Sequence, residues 1–182
     1  MQSLSEAERN AILALARQAL TEAVGNNHPL PAIPAEGVFS RRCGIFVSLH
    51  VRGKLRGCIG VIETGDPLGE NIVRCTASAA LQDPRFTRLL PEEVQDTEIE
   101  LSLLSPLERM QPEEIEIGKH GLLVEQGMRR GLLLPQVAVE HHLDREQFLE
   151  ETCHKAGFAR DAWKHPETRV YAFTCEIVSR EK

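Results

Sequence analysis

The run Leu55-Arg56-Gly57-Cys58-Ile59-Gly60 sets one thiol between two glycines and close to an arginine. A thiol with access to a substrate and a cation nearby is a candidate nucleophile or redox group. Glycine weakens the interior of a strand, so a pair of them around Cys58 marks a bulge or a place where something lies close against the backbone. Arg56 offers a planar fork that suits a carboxylate or phosphate. Cys58 is therefore read as the catalytic thiol, with Arg56, Gly57 and Gly60 receiving a substrate. The plain alternative is a buried, inert cysteine, the common fate of this residue type in proteins.

Other residues join these candidates. His120 and Glu140 are placed as catalytic groups that move protons, and Gln136, one helical turn before Glu140, would face the same substrate if a short helix starts at Pro135. Arg85 is grouped with the substrate-binding residues; the simpler account is an ion pair with Asp83 across Pro84. Cys75, Cys153 and Cys175 fall on apolar stripes and read as core, while Cys43 reads as a surface thiol beside Arg41 and Arg42. Five dispersed cysteines with no C-x-x-C pair argue against a disulfide framework or zinc ribbon. The seven histidines include no H-E-x-x-H, so no metal ligands are assigned, and no cofactor is legible.

Positioning these groups requires a hairpin. Ile45, Val47, Leu49 and Val51 alternate with polar or larger residues, and the Leu55–Ile62 segment alternates likewise. A three-residue loop, Arg52-Gly53-Lys54, pairs Val51 with Leu55, Leu49 with Gly57 and Val47 with Ile59, so that the apolar faces coincide. On the reverse face Ser48 then lies opposite Cys58 and His50 opposite Arg56. A two-residue loop would shift the register by one and turn Cys58 to the apolar face.

Around the hairpin, Ser5 and Glu8 fit a capping box for a first helix that Gly25 would stop. Asn26 to Glu36, with three prolines, reads as an extended connector. Asp66-Pro67 begins a second helix that stops before Pro84, and Asp144 caps another that ends at Gly157. Strands are expected at Ile99–Leu104, at Leu122–Glu125 and Gly131–Leu134 as a second hairpin, and at Tyr171–Ile177 with Tyr171, Phe173, Cys175 and Ile177 in alternation. Hairpins interspersed with helices favour an α+β fold with a mixed or antiparallel sheet.

Of the 182 residues, 42% are hydrophobic and 26% charged, the make-up of a globular chain with a real core. A formal charge of -6 opposes non-specific nucleic-acid binding, and no apolar run is long enough to span a membrane. With no basic and apolar leader, the chain reads as cytoplasmic.

The signature run resembles that of the AMMECR-one domain family. The likeness continues in Ala80-Leu81-Gln82-Asp83-Pro84-Arg85-Phe86, similar to the family's A-x-x-D-x-R-F element, and in His120-Gly121, Leu134-Pro135-Gln136-Val137-Ala138, Glu140 and Lys155-Ala156-Gly157. His50 departs from the family's usual lysine, and His141-His142-Leu143 from its Gln-Gly-Trp-like run. The resemblance implies residues 1–182 as one domain, a larger and a smaller subdomain around a cleft lined by the signature. It implies no settled activity. It also implies membership of the AmmeMemoRadiSam group, with a Memo-like protein and a radical-SAM protein as partners. Two functional readings follow: a component using the Cys58 thiol in catalysis or substrate handling, or a non-catalytic module binding a peptide or partner along the glycine-bearing strand.

Overall fold

A computed structural model describes residues 3–25 and 31–179; part of the proline-bearing connector, residues 26–30, lies outside the described residues. The chain divides into two compact units, Met1–Leu104 with Glu176–Lys182, and Ser105–Cys175. The elements are α1 (Glu6–Val24), β1 (Ile45–Val51), β2 (Lys54–Val61), α2 (Leu68–Leu81), β3 (Thr97–Leu104), β4 (Glu108–Arg109), β5 (His120–Gln126), β6 (Arg129–Leu133), α3 (Pro135–Glu140), α4 (Arg145–Lys155) and β7 (Arg169–Ser179). The strand pairings with a resolved register are antiparallel, so the fold is α+β.

In the first unit β1 is flanked by β2 and β3. One face of this sheet carries Ile45, Val47 and Leu49 with Ile99, Leu101 and Leu103, all buried, and packs with Ile12 and Leu20 of α1 and Leu68 and Ile72 of α2. α1 begins with the expected capping box, Glu8 N–H donating to Ser5 Oγ (3.3 Å) and Ser5 N–H to Glu8 Oε2 (2.8 Å). Its start is fastened by Glu176, whose Oε1 accepts from Leu4 N–H at 3.0 Å and from the Arg9 guanidinium. Gly25 does end α1, but in an extended conformation that needs no glycine. α2 starts differently from the sequence expectation. Pro67 is the N-cap, and the Asp66 carboxylate pairs with Arg74 at 2.9 Å.

In the second unit β5 lies between β6 and β7, and β4 pairs with β7. Leu122, Val124, Phe148, Leu149 and Cys153 form its core with Val170 and Ala172. The expected apolar alternation does not sort the last strand into a buried and an exposed parity: Phe173 is buried as expected, but so are Val170, Ala172 and Val178 of the other parity, whereas Ile177 is exposed. α4 is capped by Asp144, which accepts from Gln147 N–H at 2.9 Å. It closes in a Schellman motif: Phe158 N–H donates to Cys153 O and Gly157 N–H to His154 O, both at 2.9 Å, with Gly157 at φ 76°.

Candidate functional site

The β1–β2 hairpin decides where the thiol points. Its turn has two residues, Arg52 (φ 52°) and Gly53 (φ 73°), the left-handed pair that suits the twist of a tight hairpin. This corrects the three-residue loop read from the sequence: Val51 pairs with Lys54 and His50 with Leu55. A bulge then admits one extra residue, Arg56, so that Leu49 still pairs with Gly57 and Ser48 with Cys58. Turn and bulge cancel, and Cys58 keeps the face opposite the core.

Each glycine of the signature makes room for a neighbour within the chain. A Cβ on Gly57 would collide with the main-chain carbonyl of Ala79, where α2 crosses β2, and a Cβ on Gly60 would collide with the Phe46 ring and Ile45 O. Cys58 sits between them, half-buried. The Ser48 hydroxyl donates to its Sγ at 3.3 Å.

The residues after α2 hold the backbone of Cys58. Asp83 Oδ2 accepts from Cys58 N–H at 2.9 Å, and Arg85 Nη2 donates to Cys58 O at 3.0 Å. These two side chains thus take the place of a further strand along β2, satisfying main-chain groups that pairing with β1 leaves over. They are locked to each other: Arg85 Nε donates to Asp83 Oδ1 (3.0 Å), Nη2 to Oδ2 (2.7 Å), and Arg85 N–H to Oδ1 (3.1 Å). The Asp83 side chain is only 2% exposed against 53% for Arg85. Arg85's bond holds the Asp83 carboxyl far below the usual carboxylate range, aided by the amides of Cys58 and Arg85 and opposed by burial. Arg85 is raised in turn, first by Asp83 and further by the Cys58 side chain. The dull ion pair expected at Asp83 and Arg85 is real, and it also clamps the thiol-bearing strand.

Arg56 is otherwise engaged. Its Nε and Nη2 fork onto Glu93 at 3.2 and 3.0 Å, and Nη1 donates to Thr87 O at 3.1 Å. Glu93 is lowered first by this fork and then by the amide of Leu90. The arginine touching Cys58 is Arg85, a long-range placement that the spacing Asp83-Pro84-Arg85 does not disclose. Among the described residues no bond joins His50 to Cys58. Across the strands, Ser48 also pairs with Glu100 of β3 and His50 with Glu98, so a row Cys58, Ser48, Glu100 runs over the sheet.

The remaining candidates belong to the second unit. His120 opens β5, is 7% exposed, and accepts the Glu116 N–H on Nδ1 at 3.1 Å, which places its proton on Nε2. Pro135–Glu140 forms the short helix α3, with Gln136 half-buried, its Oε1 without a hydrogen bond among the described residues, and Glu140 exposed. A groove of about 680 Å³ near the start of α4, with Trp163 in its wall, is lined by none of these three. Among the described residues no three His, Cys, Asp or Glu side chains converge as a metal site, and no helix is long and apolar enough to cross a membrane.

The α+β fold and the sequence together place the chain in a known class. The AMMECR1 family model matches residues 13–178, and the chain belongs to that family. A protein of Methanothermobacter thermautotrophicus is 43% identical, the alignment covering 96% of this chain and 95% of the relative. One of Aquifex aeolicus is 45% identical over 79% of this chain and 78% of its own length. The crystal structure of uncharacterized protein PH0010 from Pyrococcus horikoshii is similar with a TM-score of 0.84 at 37% identity, covering 92% of this chain and 88% of that one.

Proposed function

We propose that Cys58 is the working group of this protein, a thiol used in catalysis or substrate handling within a cytoplasmic AmmeMemoRadiSam system whose other members are a Memo-like and a radical-SAM protein. One observation carries the reading: Cys58 is held at its amide by Asp83, at its carbonyl by Arg85 and at its sulfur by Ser48, yet stays only half-buried. Preorganisation of this kind is what a reacting group needs. The space around Gly57 and Gly60 is filled from within the chain by Ala79 and Phe46, which favours the thiol reading over a module that docks a peptide against the glycines. The proposal draws on Ser48, Cys58, Asp83 and Arg85 alone. It gives His120, Gln136 and Glu140 no step.

The other four thiols supply an internal control. Burial pushes Cys75 up to about 11 and Cys175 up to about 12, and raises Cys43 and Cys153 as well. Alkylation by iodoacetamide at about pH 8, followed by peptide mass spectrometry, is expected to label Cys58 ahead of all four. Labelling of Cys43 or Cys175 first would remove the proposal's basis, as would a reconstituted reaction with the companion proteins that ignores Cys58→Ser.

A further inference from the structure

We propose that the groove at the start of α4 receives a basic and apolar segment of a partner protein, a short run in which lysine or arginine alternates with aliphatic side chains. The inference goes beyond the thiol reading: the groove lies wholly within the second unit, and its test does not involve Cys58.

The groove has an apolar floor and a charged rim. Ile115 and Leu149, 2% and 1% exposed, line it together with the half-buried Trp163. Ile117 lines it too and is 38% exposed, an apolar side chain left in water at the rim. The lining also holds four carboxylates, Glu113, Glu116, Asp144 and Glu146, against one cation, Arg145. Arg145 is tied to the wall, its Nη1 donating to Glu113 O at 2.9 Å. Among the described residues the Glu113 carboxylate has no ion pair, and Asp144 accepts the Gln147 N–H on Oδ1 alone. Glu116 pairs with Lys119 at 2.6 Å and Glu146 with Lys164 at 2.7 Å, but all four side chains are more than half exposed, so these pairs exchange readily for other cations.

The chain itself shows how a cation is held here. Lys164 Nζ lies 4.8 Å from the centroid of the Trp163 ring while it pairs with Glu146, so an ammonium rests between an indole and a carboxylate that both belong to the groove wall. A single metal ion matches the site poorly: among the described residues no three His, Cys, Asp or Glu side chains converge to hold one. The negative charge is spread along the rim instead. Spread charge over an apolar floor suits cations strung along a peptide, with aliphatic side chains between them to cover Ile117 and Trp163. At about 680 Å³ the groove has room for a few such side chains.

Trp163 is the one tryptophan of the chain, so selectively excited tryptophan fluorescence reads this groove directly. Acetylated and amidated pentapeptides alternating lysine with leucine, lysine with serine, and glutamate with leucine are titrated against the whole protein. The lysine–leucine peptide is expected to give a saturable change with a Kd at least about fivefold below that of the lysine–serine peptide, and the glutamate–leucine peptide to give none. Glu113→Gln combined with Glu116→Gln, both at exposed positions, should weaken lysine–leucine binding about three- to tenfold, and about 0.5 M salt should weaken it in the unaltered protein. Ile117→Ser should weaken it about two- to fivefold. Equal binding of the acidic or the serine-bearing peptide, indifference to the paired glutamine substitutions, or no response to any peptide would overturn the proposal. A saturable change produced by calcium chloride alone would overturn it in favour of an ion site. Each of these results leaves the thiol reading where it stands.

Discussion

Asp83→Asn isolates the clamp on Cys58. The carboxylate accepts four bonds, from Cys58 N–H, Arg85 N–H, Arg85 Nε and Arg85 Nη2. An asparagine keeps the shape and the two bonds to Oδ1, but its amide nitrogen then faces the Cys58 N–H and Arg85 Nη2, donor against donor. Leaving a buried donor without its charged acceptor costs about 1–3 kcal/mol, and the half-exposed Arg85 regains water, so the net loss is roughly 2–3 kcal/mol. For a chain of this size that lowers Tm by about 5–10 °C. The pH dependence has a fixed sign. The folded carboxyl lies below its unfolded value of about 3.9, so its contribution is complete above that value and fades as pH falls toward the folded one. The gap between the natural protein and Asp83→Asn should therefore hold constant from about pH 5 to 8 and narrow below about pH 4. Hydrogen exchange at the Cys58 amide, read by NMR, should accelerate at least about tenfold as the bond is lost. Unchanged protection of that amide, or a gap that persists undiminished into acid, would refute the clamp.

Two glycine substitutions separate crowding from conformation. Gly57→Ala drives a methyl into the Ala79 carbonyl and forces α2 off β2, at about 3 kcal/mol by urea unfolding; a loss under about 1 kcal/mol would show that the helix yields freely. Gly157→Ala meets open space but keeps φ 76°, so it should cost only about 1 kcal/mol, or about 2–4 °C in Tm, with the candidate thiol's labelling rate unchanged. A neutral Gly157→Ala would mean that the end of α4 relaxes to another turn.

Much of the frame was legible because it rests on local chemistry. The Ser5–Glu8 box, the Asp144 cap and the alternation of β1 and β2 each lie within a few residues of their cause, and all are in place. The hairpin shows where local reading fails: its loop is one residue shorter than pattern matching gives, and a bulge at Arg56 restores the register that the apolar faces demand. Burial on one side of the sheet thus overrules the turn. Ser48 opposite Cys58 could be counted off the strand. The reach of Asp83 and Arg85 across about 25 residues to the Cys58 backbone could not, since nothing in their spacing says which strand α2 lies along. Arg56, adjacent in sequence, is drawn away to Glu93, a partner 37 positions on. In the last strand, alternation was visible but did not decide which side is buried, because both parities carry apolar residues.

The division of the chain bears on how it is made. Residues 105–175 are one continuous stretch and carry their own core, so they can collapse without waiting for any later part of the chain. The thiol-bearing unit has no such independence: its first helix is tied down by Glu176, a residue synthesised 172 positions after the Leu4 amide that it holds. The early helix therefore waits for a much later residue, and until then the unit that holds the Cys58 hairpin lacks its finished support.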